Sequence, residues 1–259
     1  YIRLLKFVYP KLTHVYTAHN VFKDKLPLYG FALKNAKSVA VGEAVNKNLK
    51  EDVGITDSRV IYNGVVLKET DDQVDEIISY GGIKLGCIAR LSEQKGLTYL
   101  LDAMSLVNQH DLTLFLVGDG ELRDDLMVQV KNLHLQEKVR FLGYRSDVVE
   151  CINSFDFLVS SSLYEGLALN VIEAFMNGKT MVATDIPGIN EIINKSNGIL
   201  VPAKNPQALA QAIKDLAGNP EKRASLAAQA KRDYDTKFSY SIFLDNYRHF
   251  YQSMRKGSK

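Results

Sequence analysis

From Leu85 onward the chain repeats one pattern: a short apolar run, a loop of small residues, then apolar positions at helical spacing. Lys84 to Ala89 reads as a strand, and Leu97, Leu100, Leu101, Met104 and Val107 mark one face of the next helix. Leu112 to Val117 is again a strand, followed by Gly118-Asp119-Gly120 and a helix carrying Leu122, Leu126 and Val130. Val139 to Leu142 precedes Gly143-Tyr144-Arg145, and Val148 to Ser154 reads as a short helix. Phe157 to Ser160, Thr180 to Ala183 and Gly198 to Val201 supply further strands, with a small helix predicted between the last two. Gln207 to Ala217, Pro220 to Tyr234 and Ser239 to Arg255 close the chain as helices. Strands alternating with helices through short loops imply α/β architecture, a doubly wound parallel sheet covered on both faces.

In such sheets ligands bind outside the carboxyl ends of the strands. Ser161 to Ala174 follows one buried strand and contains small residues, Gly166 and the acids Glu165 and Glu173. A strand that turns through such a loop into a helix aims backbone N–H groups and the helix dipole at an anion, typically a phosphate. The acids are eight residues apart, so on one helix they would differ by about 80° around the axis. Glu165 therefore reads as a loop acid and Glu173 as lying one turn into the helix. Two blander readings stand beside this. Asn170-Val171-Ile172-Glu173 fits a capping box, and Glu165 fits a solvated loop acid. Arg90 closes a strand, and Lys95 follows at the next helix start. A basic residue ending a buried strand suits an anionic ligand.

The Glu165/Glu173 pair, Arg90-Leu91-Ser92-Glu93-Gln94-Lys95-Gly96 and Gly178 to Glu191 together resemble the retaining glycosyltransferases of family 4, which have the two-domain GT-B fold. The resemblance covers nearly the whole chain. It implies that Arg90 and Lys95 bind the diphosphate of a nucleotide sugar, UDP- or GDP-linked. Glu165 would contact sugar hydroxyls, Glu173 the ribose, and the backbone of Gly166, Leu167, Ala168 and Leu169 the diphosphate. Tyr144 and Arg145 would lie at the base-binding edge. His19, in Ala18-His19-Asn20 after a predicted strand, would lie beside the transferred sugar; as a pattern alone it reads equally as a loop histidine. Gly118-Asp119-Gly120 lacks the third glycine of G-x-G-x-x-G and reads as a tight turn beside the donor. Retention of configuration comes from the resemblance, not from the residues.

The same comparison divides the chain into 1–65, an acceptor-side domain, 66–238, a nucleotide-sugar domain, and 239–259, a helix returning to the first domain. Asn63-Gly64-Val65 marks the crossing, and Lys68 to Ser79 reads as an exposed polar connector. The first part holds few strands (Leu12 to Thr17, Ser38 to Val41, Arg59 to Tyr62), helices over Lys25 to Asn35 and Glu43 to Lys50, and no glycine-rich loop. The expectation is therefore a remnant of a larger Rossmann-like domain, in a chain truncated at its start. Tyr1 to Tyr9 is basic and amphipathic, a pattern that suits peripheral contact with an anionic membrane.

Composition narrows the classes. Net charge is +2, without the basic excess of a nucleic-acid binder. Cys87 and Cys151 form no C-x-x-C pair, which suits a reducing compartment and no zinc site. Asp233-Tyr234-Asp235 spells D-x-D but ends a polar helix, so neither a metal nor a cofactor is expected. The reading is a retaining hexosyltransferase, cytoplasmic or at the inner membrane face, acting on a glycan or lipid-linked acceptor in bacterial surface-polysaccharide synthesis, with a truncated chain that need not be active by itself. The alternatives are a non-catalytic nucleotide-sugar-binding or partner-docking module, and a GT-B sugar epimerase.

Overall fold

The computed structural model describes residues 13–21, 33, 36–66, 70–107 and 111–256. The chain forms two compact units: 1–64 with 165–167 and 240–259, and 65–164 with 168–239. The expected segments Tyr1 to Tyr9 and Lys25 to Asn35 lie outside the described residues, apart from Leu33.

The second unit is built on six parallel strands: β4 (Ile83–Ile88), β5 (Leu112–Val117), β6 (Val139–Gly143), β7 (Phe157–Ser160), β8 (Met181–Thr184) and β9 (Ile199–Val201). Their order across the sheet is β6-β5-β4-β7-β8-β9. Winding starts at β4, runs outward to β6, then returns to β7 and runs the other way. The strand order thus reverses between β4 and β7, and that is where a doubly wound sheet opens a crevice.

The strands are mostly apolar because both faces are covered. All six residues of β5 are buried, and alternate side chains go to opposite faces. Leu114 and Leu116 join Leu100, Leu101 and Met104 of α3 (Leu97–Ser105) and Ile213 and Leu216 of α7 (Pro206–Gly218) in one core. Phe115 points the other way and meets Phe155, ring centroids 5.9 Å apart. Gly86 in β4 makes room for Phe155: a Cβ there would lie 2.0 Å from the ring. Each such buried Leu or Phe contributes about 1.5–3 kcal/mol. The remaining helices of this unit are α2 (Asp75–Ile78), α4 (Arg123–Asn132), α5 (Val148–Ser154), α6 (Leu169–Met176) and α8 (Pro220–Asp233).

Two local expectations change. No helix forms between β8 and β9; Pro187 to Asn197 runs through turns. Gly188 at φ 84° breaks helical geometry, and Asn197 holds the turns by donating to the Ile192 carbonyl (3.1 Å) and accepting from the Asn194 N–H (2.7 Å). The connector is also less exposed than its polar sequence suggests. Val74 and Ile77 are buried, one helical turn apart, and the Val74 N–H donates to Ser154 Oγ at 2.8 Å.

The first unit carries three parallel strands, β1 (Val15–Ala18), β2 (Lys37–Ala40) and β3 (Ser58–Val60), in that order. Helix α1 (Glu43–Glu51) buries Val45 and Leu49. Helix α9 (Tyr240–Lys256) presents Phe243, Tyr247 and Phe250 to Val39 and Ile61. Gly64 permits its close approach, since a Cβ there would meet that of Phe243 at 2.6 Å.

Candidate functional site

At the reversal between β4 and β7 the loops leaving both strands are sewn together. Ser161 Oγ donates to the Lys95 carbonyl at 2.8 Å, the Leu163 N–H to the Gln94 carbonyl at 2.8 Å, and Gln94 Nε2 to the Tyr164 carbonyl at 2.9 Å. Asn170 Nδ2 of α6 reaches the Ile88 carbonyl of β4 at 3.2 Å. Asn170 is therefore not a helix cap. Ala168 holds the cap position and makes no side-chain cap bond, so the capping-box reading of Glu173 fails. These bonds hold the loop that carries Arg90 and Lys95, and the start of α6, at the carboxyl ends of β4 and β7.

Glycine geometry shapes the β5 side. Gly118 sits at φ 132°, and a Cβ would lie 2.0 Å from the Ala89 carbonyl oxygen; at Gly120 it would lie 2.5 Å from that of Leu91. The Leu91 N–H donates to the Asp119 carbonyl at 3.0 Å. Gly118-Asp119-Gly120 is thus a tight turn packed backbone-to-backbone on the end of β4. Next to it opens a hollow of about 380 Å³. Ile88, Val117 and Val148 give it apolar walls, and Arg90, Asp119, Tyr144 and Arg145 form its polar and aromatic rim.

The charges around this opening differ in commitment. Arg90 is exposed and pairs with the exposed Glu121 at 3.1 Å. The Glu121 carboxyl is held below its ordinary range, first by its own backbone N–H and then, against a desolvation effect, by Arg90. An exposed pair of this kind is readily displaced by a better-placed anion. Lys95 is half-buried, and its charge acts on Cys87 within β4, whose thiol burial pushes up to about 12 against that pull. Arg145 is committed: its guanidinium makes a two-pronged contact with Asp147 and lies 3.6 Å from Glu76 of α2. Tyr144, at 82% exposure, is free to cover a flat ring. Glu173 is half-buried on α6, and burial raises its carboxyl above the ordinary value, with no compensating charge as a cause.

Glu165, Gly166 and Leu167 group with the first unit, whereas Ala168, Leu169 and Glu173 belong to the second. Within the first unit Gly166 lies against the strand-end histidine: a Cβ would sit 2.4 Å from the His19 carbonyl oxygen. His19 itself is exposed directly after β1. Glu121 belongs to the opening but stands in no motif of the sequence, and Gln94, Ser161 and Asn170 lie inside the motifs without showing these roles. The buried hydroxyl run Ser160-Ser161-Ser162 at the end of β7 is the one signal that could have pointed to them.

Among the described residues no three or more His, Cys, Asp or Glu side chains converge as a metal site, and no helix is long and apolar enough to cross a membrane. Asp233 of the D-x-D turns inward, accepting from Asn197 Nδ2 at 2.8 Å and Lys237 Nζ at 3.0 Å. Burial opposes its charge, but these bonds outweigh it and hold the carboxyl below the ordinary 3.8. A depressed native pKa gives stability that is present above the unfolded value and lost as pH falls through the native one. Asp233→Asn is therefore expected to destabilise by about 1.5–3 kcal/mol at neutral pH, with a smaller difference at pH 3. Urea denaturation of both proteins at the two pH values checks this.

A parallel sheet of this order defines a doubly wound α/β protein, and its likeness to solved glycosyltransferases makes the fold GT-B. Residues 69–233 match the family model described as "Glycosyl transferases group 1", and the chain belongs to that family. It is 32% identical over 216 residues to an uncharacterized glycosyltransferase of Methanocaldococcus jannaschii, covering 76% of this chain and 55% of that protein. It is 27% identical over 173 residues to the poly(ribitol-phosphate) alpha-N-acetylglucosaminyltransferase of Staphylococcus aureus, covering 65% of this chain and 35% of that protein. The chain thus spans about half or less of the length of these two relatives. Among solved structures, Anabaena HepE in complex with UDP superposes with a TM-score of 0.87 at 24% identity, covering 96% of this chain and 74% of that one.

Proposed function

We propose that this chain carries the donor-binding half of an enzyme that moves a hexosyl group from a UDP- or GDP-sugar to a glycan or lipid-linked acceptor, with retention of configuration. The setting proposed is bacterial surface-polysaccharide synthesis. The observation that carries the reading is the placement of Arg90 and Lys95 on the loop after β4, tied to the loop after β7 by Ser161 and Gln94. Breaking the bond to a nucleoside diphosphate builds negative charge on the leaving phosphate. Fixed cations at that point stabilise the transition state more than the ground state.

In this reading Arg90 and Lys95 hold the diphosphate, and the α6 start, at Ala168 and Leu169, donates backbone N–H groups to it. The hollow beside Gly118-Asp119-Gly120 takes the base under Tyr144. Arg145 fixes the wall through Asp147 and Glu76. Glu173 accepts from the ribose hydroxyls. Glu165 and Gly166 serve the donor sugar, and His19 the transferred hexose. No metal takes part. The relative from Staphylococcus aureus, named for transfer of an N-acetylhexosamine to a polymer, and HepE, crystallised with UDP, support the substrate class.

Turnover is the test. The purified chain is incubated with UDP- and GDP-hexoses and candidate acceptors, free UDP or GDP is measured, and the product anomer is read by NMR. Release with an α-product from an α-donor supports the proposal. Binding without release in the presence of acceptors points to a non-catalytic module, and an isomerised nucleotide sugar to an epimerase.

Glu173 gives a separate prediction. Its carboxyl is raised by burial, so in the empty protein its charge opposes folding above the ordinary carboxylate pKa. Glu173→Gln should raise the melting temperature at pH 7 while weakening donor binding about tenfold, the loss of one charged hydrogen bond. A thermal melt and a UDP titration on the same sample measure both.

A further inference from the structure

The amino ends of β4, β7 and β8 are neighbours in the sheet, on the side away from the donor site. There a second hollow opens, about 360 Å³, lined by Lys84, Asp156 and Lys179 at the strand starts and by Gln73 of the connector. Two cations, Lys84 and Lys179, line the hollow with one carboxylate, Asp156. The carboxylate is already occupied: Asp156 Oδ2 accepts from the Lys84 N–H at 2.8 Å, and Oδ1 lies 3.9 Å from Arg223 of α8. Lys179 Nζ donates to the carbonyls of Asn153 (3.1 Å) and Phe155 (2.6 Å), which leaves one of its three protons. Lys84 Nζ donates to the Gly82 carbonyl at 3.1 Å. Burial pushes the Lys179 ammonium below its ordinary value, with Asp156 raising it and Arg223 lowering it further. An anion in the hollow would relieve that. The carboxylates of Asp71, Asp72, Asp75 and Glu76 are not part of the lining.

We propose that this hollow is an anion site for a small phosphomonoester, held by Lys84 and Lys179 at the amino end of the sheet. Its size exceeds that of a bare phosphate and falls within the range of small-molecule sites. Gln73 Nε2 already donates to the Asn153 carbonyl at 3.0 Å, and Asn153 Nδ2 to the Thr70 carbonyl at 2.7 Å. An occupant would therefore also tighten the connector on α5. The inference is independent of the donor reading, because no residue is shared between the two sites.

The test is thermal melting and calorimetry of the full chain with inorganic phosphate and with glycerol phosphate, against chloride at equal ionic strength. Phosphate should raise Tm saturably, by about 3 °C or more at tenfold its half-saturating concentration. Measured in an Arg90→Gln background, which weakens any phosphate binding at the donor site, Lys84→Gln and Lys179→Gln should each remove most of the shift. Glycerol phosphate should bind at least several-fold more tightly than phosphate. In that background, equal shifts in phosphate and chloride, or a shift that survives both lysine variants, would overturn the site. Equal affinity for the two ligands would overturn the phosphomonoester.

Discussion

Replacing Arg90 with glutamine is expected to lower the rate of sugar transfer about 10²- to 10³-fold, the usual loss when one preorganised group at a developing charge is removed. The fold should survive. Arg90 is exposed, and its recorded partner, Glu121, is exposed as well. Arg90→Lys should not restore full activity if the guanidinium grips the diphosphate through two donors, since an ammonium offers a point charge instead. Glu121→Gln provides the complementary result. With the competing carboxylate gone, Arg90 is free before the ligand arrives, and UDP affinity should rise modestly. Steady-state kinetics with a nucleotide-sugar series, plus a melt of each variant, separate loss of chemistry from loss of fold.

Gly96→Ala should damage both stability and activity, by about 2–4 kcal/mol and most of the turnover respectively. Two effects add. Gly96 sits at φ 58°, and a side chain in the left-handed region is strained by about 1–2 kcal/mol. The new methyl would also lie 2.3 Å from the Ser161 carbonyl oxygen. That atom is backbone and does not swing away, so the loop bearing Arg90 and Lys95 must shift from the loop after β7. Gly178→Ala is the control. Its φ is 63°, yet nothing lies within 4 Å of the added Cβ, so only the backbone strain of about 1 kcal/mol should appear. Equal losses at the two positions would show that the contact with Ser161 is not what Gly96 protects.

The sheet was legible because both its faces are covered. β5, with every residue buried, is written in apolar residues save Thr113, and the helix faces at Leu97 to Met104 follow the complementary period. The strand-end positions of Arg90, Gly118 and Tyr144 follow from that alternation alone. What stayed hidden depends on long-range partners. Asn170 looks like a capping residue until Ile88, 82 positions away, accepts from its side chain. Arg145 looks like a free cation at a strand end, yet Glu76 of the connector and Asp147 hold it. The connector itself reads as polar because its buried pair, Val74 and Ile77, is only one turn long. The turns after β8 read as a helix because Ile189, Ile192 and Ile193 mimic its spacing, while Gly188 and Asn197 set a different backbone.

The most direct measurement is calorimetric titration of the purified chain with UDP and with GDP, repeated on Arg90→Gln and Lys95→Gln. The account predicts one-to-one binding of one of the two nucleotides, weakened at least tenfold in each variant and weakened by salt. No heat with either nucleotide, or binding that both variants retain in full, would contradict a diphosphate seated where the strand order reverses.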